Sequence, residues 1–423
     1  MPEAVSTRTA PTPGASTPDP VVVDESFFQD PFPALNRLRE RASATPVLFA
    51  DGFGVPRWFV GRYADVVAGF TDPRLSNVVV PALAPPDVDR AELPAGQRVL
   101  LRANDLLGRA MANTDPPDHT RLRRLVSAAF GARPMDALRP RVRELVAAAL
   151  DDAGGEFDLM AVLARPLPIT VVCEVLGVPA EDTEVFRAAA RVLGGFADEA
   201  SAPEMIGAMD RFADYAADLV AHKRRRPADD LLTTLVEVSD QGDRLTGDEL
   251  VAMLALMIFA GHETTVQLIG GGVLALLANP DQAALLRADP GRLPDAVDEV
   301  LRFDGSANPG LPRLATEDVP VGDVVVPRGA HVILATAAAN RDPRVWDRPD
   351  EFDVTRERRQ RQLAFGHGIH YCLGARMARI EGEEAIGALL SRHPGLRLAV
   401  EPAALRWRTG FVRALEALPL TTR

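Results

Sequence analysis

Phe365-Gly366-His367-Gly368-Ile369-His370-Tyr371-Cys372-Leu373-Gly374 is the most informative stretch of this 423-residue chain. Gly366 and Gly368 permit a tight loop and a close approach of backbone to a flat ligand. Residues 373–390 carry a helical pattern, so Cys372 falls just before a helix N-terminus. There, free amides and the helix dipole favour a thiolate. A thiolate held by amides in an apolar loop suits a soft metal ion.

Several chemistries suit a cysteine placed this way. A small buried cysteine in a turn needs no function at all. Zinc is suggested by the close spacing of His367, His370 and Cys372, but no second cluster completes the four ligands of a structural site. A nucleophilic role lacks an Asn or Asp orienter nearby. A haem thiolate needs one axial ligand from the protein and no more. The other cysteine, Cys173, lies in the apolar helical stretch 169–176 and reads as an inert core residue. Two cysteines in all exclude a disulfide framework and fit a reducing cytoplasm.

The loop, as Phe365-Gly-x-Gly-x-His-x-Cys372-Leu-Gly, resembles the cysteine-ligand loop of the cytochrome P450 monooxygenases. Three further segments agree with that family in order and spacing, so the resemblance spans about 27–420. It implies Cys372 as axial ligand of a haem b iron, with Phe365, Gly366 and Gly374 against the cofactor.

Ala260-Gly261-His262-Glu263-Thr264-Thr265 resembles the family's oxygen-activation motif. Gly261 leaves room beside a bound diatomic molecule, and an acid next to an alcohol can pass protons. In an ordinary helix the same side chains would merely bond back to their own backbone. The resemblance makes Glu263 and Thr264 catalytic and places Ala260 and Gly261 beside the haem. Glu299-Val300-Leu301-Arg302 sets an acid and a base at i, i+3 on one helix face. Such a pair on a surface is worth little, whereas the family uses it as a buried structural pair, with Arg356 resembling its third partner. Within Asp115-Pro116-Pro117-Asp118-His119-Thr120-Arg121-Leu122-Arg123, His119 and Arg123 stand at i, i+4 and are spaced to hold one anion; a basic helical face is otherwise simply solvated. The resemblance makes His119, Arg123, Arg313 and His370 the donors to the haem propionates, four donors for two carboxylates.

Trp346 stands where the family commonly has Phe, and Ser306 where many members have proline, followed by Ala307-Asn308-Pro309-Gly310. That segment is expected to line the pocket, so no relative's substrate can be borrowed. The pocket candidates are Leu106, Leu193, Met257, Ala260, Ala307, Asn308, Leu311 and Phe411. They are mostly apolar and point to a lipophilic natural product such as a polyketide or terpenoid intermediate. Hydroxylation, epoxidation, desaturation and oxidative coupling are all open to such a scaffold. A peroxide-driven relative is expected to carry Arg-Pro in place of Glu263-Thr264, and a non-catalytic haem sensor would need no such pair.

Organisation agrees with a mostly α fold carrying small β-sheets, with the haem between a long central helix and the cysteine loop. Helical patterns run through 118–130, 135–153, 167–176, 181–193 and 203–225, and strand-like runs occupy 47–50, 57–60, 319–326 and 331–334. Asp51-Gly52-Phe53-Gly54 reads as a hairpin turn and 81–94 as a Pro-rich lid loop. Residues 250–278 are apolar enough to cross a membrane, yet His262, Glu263, Thr264, Thr265 and Gln267 would stand at mid-bilayer. Thr246-Gly247-Asp248-Glu249 fits a capping box and Asn279-Pro280 a stop, so this segment reads as a buried helix. Residues 1–20 lack an apolar core of the signal-peptide kind and read as a disordered tail before a single domain, 21–423.

The net charge of −12 argues against a nucleic-acid partner. Lys223 is the only lysine, so 46 of the 47 basic residues are arginine, the mark of GC-rich, actinobacterial-type coding. No nucleotide-binding glycine motif or flavin segment is visible. Electrons are therefore expected from a ferredoxin and its NAD(P)H-dependent reductase. Arg356-Glu357-Arg358-Arg359-Gln360-Arg361, with Arg376 and Arg379, forms a local basic cluster beside the cysteine loop. It is either a solvated turn or the patch that steers that partner in. The expected protein is a cytoplasmic monomer.

Overall fold

The computed structural model describes residues 19–422 apart from 25, 51–53, 80–88, 128, 194–199, 241–243, 358, 409 and 411. The tail expected at 1–20 thus lies almost wholly outside the described residues, as do most of the hairpin turn at 51–54, much of the loop 81–94, Arg358 and Phe411.

One helix, Gly247–Ala278, organises the rest. It starts where the capping box predicts: the Glu249 amide donates to Thr246 Oγ1 at 3.2 Å and the Thr246 amide to Glu249 Oε2 at 2.7 Å. These two bonds satisfy two of the orphan donors of the first turn. Among the described residues it is the one helix long and apolar enough to span a membrane, but 67% of its apolar window is buried inside the protein. Helices Ala202–Arg225, Pro166–Leu176, Thr183–Leu193, Ala95–Leu107 and Ala375–Arg392 pack around it. Leu254, Ile258 and Ile269 are fully buried there, each contributing about 1.5–3 kcal/mol of burial free energy. A charge at Ile258 would break this packing.

The largest sheet has six strands in the order Val21–Val23, Thr45–Phe49, Arg57–Val60, His331–Leu334, Leu311–Ala315, Leu75–Ser76. Thr45–Phe49 and Arg57–Val60 pair antiparallel as the expected hairpin, with Thr45 opposite Phe59. Arg57–Val60 then runs parallel to His331–Leu334, which joins sequence-distant segments. The run 319–326 is not one strand. It is a small hairpin, Val319–Val321 against Val324–Val326, because Gly322 takes φ +57° and turns the chain. Helix 118–130 ends at Ser127, and 135–153 divides into Ala132–Asp136 and Arg139–Asp151.

Candidate active site

The cysteine loop is built by its two glycines. Gly366 and Gly368 take φ +71° and +72°, the left-handed region that an L side chain rarely adopts. The Cys372 amide closes the loop on the Phe365 carbonyl at 2.9 Å, and the Leu363 amide ties its start to Asn340 Oδ1 at 2.7 Å. Helix Ala375–Arg392 begins three residues after Cys372, and the free amides of Gly374 and Ala375 point at the sulfur. Burial nevertheless pushes the Cys372 thiol up, against those amides and the Arg123 and Arg379 charges. The amides at the helix start favour the thiolate as expected, and burial opposes them. A cation bound at the sulfur would add further stabilisation of the thiolate. Cys173 is buried in the helical core, with its thiol pushed up to about 12 by burial.

Across from the loop, Ala260, Gly261, Thr264 and Thr265 of the central helix line the same cavity as Cys372, a space of about 920 Å³. Thr264 Oγ1 donates to the Ala260 carbonyl one turn back at 2.6 Å. Gly261 serves packing as well as room: a Cβ there would come within 3.1 Å of Val172 Cγ2. Glu263 does not line this cavity. It is buried on another face of the helix, ion-paired with Arg408 and with its Oε1 3.5 Å from His262 Nδ1. His262 Nε2 lies 3.1 Å from the Arg165 carbonyl.

Between the two walls sits an unbalanced positive cluster. Arg123 donates to the Tyr371 carbonyl at 2.7 Å, and Arg313 is 5% exposed with its Nη1 on the Pro312 carbonyl at 2.7 Å. Burial draws Arg313 down to about 10. It draws His370 down to about 3, helped by His119 and Arg313. The His119 and His370 rings lie 3.9 Å apart, and neither His119 nitrogen nor His370 Nε2 has a partner. Among the described residues Asp115 is the one nearby carboxylate, and Ser76 and the Asn77 amide already occupy it. The buried Arg313 charge and the unpartnered imidazole nitrogens are costly unless acceptors reach them. Carboxylates of a bound ligand would satisfy them. Arg123, Arg313 and His370 line the cavity; His119 stands behind His370.

Of the proposed pocket residues, Met257, Ala260, Ala307, Asn308 and Leu311 line the cavity. Leu106 does not. It packs into the helical core, because Ala103, Asn104 and Leu107 occupy the phase of helix Ala95–Leu107 that faces inward. Leu193 closes helix Thr183–Leu193, with its side chain outside the described set. Gly410 and Val412, from a C-terminal hairpin, also line the space. No local pattern marked them.

Arg302 is fully buried and forks onto Glu299 at 2.8 Å through both Nε and Nη2. It also donates to the carbonyls of Asn340, Pro349 and Glu351 at 2.8–3.0 Å. Arg356 Nε reaches both Glu299 oxygens at 3.2 Å. The trio locks the helix Leu293–Phe303 to the segment before the cysteine loop. The remaining basic cluster is largely neutralised: Arg359 pairs with Glu357, Arg376 with Asp136 and Arg379 with Asp298. Arg361 is exposed, and among the described residues no carboxylate pairs with it.

Fold and site together define a protein with a cavity walled on one side by a cysteine sulfur and on the other by its central helix, with unpartnered imidazole nitrogens near its edge. Comparison with known proteins agrees. The cytochrome P450 family model matches residues 292–394. Vitamin D(3) 25-hydroxylase of Pseudonocardia autotrophica is 44% identical over 94% of this chain and 94% of its own length. 6-deoxyerythronolide B hydroxylase of Saccharopolyspora erythraea is 39% identical over 95% of this chain and 98% of its own. The tirandamycin C-bound P450 monooxygenase TamI superposes with a TM-score of 0.85 at 39% identity, covering 96% of this chain and all of that one. The chain belongs to the cytochrome P450 family. It is a monooxygenase of the oxidoreductase class that uses haem iron on a cysteine thiolate and acts on a small molecule with electrons from redox partners.

Proposed function

We propose that Cys372 is the iron ligand, and that His119, Arg123, Arg313 and His370 receive the haem propionates. The observation that carries this is the shared cavity. Cys372 on one wall and Ala260, Gly261, Thr264 and Thr265 on the other enclose a space edged by Arg123, Arg313 and His370, beside unpartnered imidazole nitrogens. Haem iron on a thiolate supplies reductive activation of dioxygen, with one atom entering the substrate and the other leaving as water.

The residues of the chain do the rest. The Gly374 and Ala375 amides orient the Cys372 sulfur. Apolar walls from Met257, Ala307 and Leu311 exclude water and hold a lipophilic substrate. Thr264 can donate and accept a hydrogen bond, so it holds an ordered water at the cavity wall without titrating. Glu263, next along the helix, feeds protons toward it. The relatives are named for vitamin D(3), 6-deoxyerythronolide B and tirandamycin C, three different molecules, so membership selects none of them. A lipophilic natural product, processed in a tailoring step, is the reading the cavity supports. A ferredoxin with its reductase is the electron source, in the cytoplasm, on a monomer.

The test is a spectral-shift screen of lipophilic natural products against the haem-loaded protein, followed by turnover under isotopically labelled dioxygen. One labelled oxygen in the product, dependent on reductant, is expected. Product formed with no labelled oxygen, or without reductant, refutes it.

A further inference from the structure

The C-terminal hairpin pairs Trp407–Arg408 with Ala414–Leu415, Arg408 opposite Ala414. Its tip reaches the cavity through Gly410 and Val412. An arginine on each side of that tip grips the neighbouring structure. Arg413 bonds both Asp304 oxygens at 3.0 and 3.2 Å, and Asp304 accepts from Gln267 Nε2 at 3.1 Å. Arg408 pairs with Glu263. Glu263 and Gln267 stand at i, i+4 on one face of the central helix, so both grips converge on that face. Arg408 is 36% exposed and Glu263 only 4%, so the ion pair runs from solvent to a buried carboxylate on the residue preceding Thr264.

We propose that Arg408 is the positioning residue that fixes the Glu263 carboxylate on the central helix and ties it to the hairpin that lines the substrate space. This rests on the reading that Glu263 feeds protons toward Thr264. The charged and titratable groups around the carboxylate are His262 on the same helix, Arg408 on the hairpin, and Arg165 ahead of helix Pro166–Leu176. His262 is held neutral by burial. Arg165 spends its guanidinium on the Leu415 and Glu416 carbonyls. Arg408 is therefore the direct counter-ion. Without it a buried carboxylate stands unpaired, which favours the neutral acid.

The experiment uses the substrate-free holoenzyme with NADPH, a plant-type ferredoxin and its reductase. Two electrons and two protons turn dioxygen into hydrogen peroxide; four of each turn it into two waters. Poor proton supply to the outer oxygen raises the peroxide share. Arg408→Gln and Glu263→Gln should each raise that share at least about twofold, and Arg408→Lys should restore most of it. A second readout needs no turnover. Relative to wild type, Arg408→Gln should lose roughly 3 °C more Tm at pH 8.5 than at pH 6, because an acid kept neutral by burial loses stability as pH rises. Adding Glu263→Gln should remove that pH dependence.

The double variant leaves no unpaired charge and keeps the test decisive if Arg408→Gln fails to fold. Its peroxide share should equal that of Glu263→Gln alone, since Arg408 acts through Glu263. A further rise in the double variant, or a wild-type share in Arg408→Gln despite lowered Tm, overturns the proposal for Arg408 alone. A wild-type share in Glu263→Gln overturns the proton-feeding reading and the proposal with it.

Discussion

Glu381→Gln should stabilise this protein above about pH 5, and increasingly so as pH rises. Glu381 lies on helix Ala375–Arg392, fully buried, and neither carboxyl oxygen has a hydrogen-bond partner among the described residues. Burial pushes its carboxyl from 4.5 up to about 8. A group raised on folding gives its full stability below the unfolded value and loses it as pH climbs through the folded one. At pH 7 the folded protein must take up a proton that the unfolded chain lacks, which costs about 3 kcal/mol. Above the folded value the cost levels near 5 kcal/mol. Glutamine keeps the shape and removes the proton uptake. We expect wild-type and variant melting curves to converge near pH 5 and to separate by roughly 5 °C by pH 8. Thermal unfolding followed by circular dichroism across that range is the assay. Parallel pH profiles, or a variant less stable than wild type at pH 8, would show that Glu381 has a partner and refute the argument.

Arg302→Lys loses the fork to Glu299 and most of the three carbonyl contacts. It should cost about 3–5 kcal/mol, read as lost haem content and lowered Tm; full haem loading would contradict a structural role for the trio. Thr264→Ala should keep haem content and ligand affinity but divert reductant to peroxide, while Thr264→Ser retains coupling; equal coupling in both moves the proton role elsewhere. Arg361→Glu should slow reduction by ferredoxin and flatten its salt dependence. Arg359→Glu should do less, because Glu357 already offsets that charge; equal effects would remove the docking assignment.

The chemistry-bearing local features were legible in the sequence because each is written within one turn or one helix. Gly366 and Gly368 carry the left-handed φ the loop pattern demands, and Thr246 with Glu249 marks the helix start to the residue. Leu106 was misplaced because apolarity alone does not give helical phase, which Ala103, Asn104 and Leu107 settle. The basic cluster looked stronger than it is because its neutralising partners, Asp136 and Asp298, come from distant elements. Arg408 was invisible for the same reason: 145 residues separate it from Glu263, and only the fold closes that gap. At Cys372 the amides that favour ionisation stand where the motif puts them, while the burial that opposes them comes from the fold and is not written in the loop.

The central claim is that Cys372 carries the iron. The measurement is the carbon-monoxide difference spectrum of the dithionite-reduced protein, compared among wild type, Cys372→His and Cys173→Ser. The account predicts the red-shifted thiolate band in wild type and Cys173→Ser and its loss in Cys372→His. Survival of that band in Cys372→His, or its loss in Cys173→Ser, would contradict it.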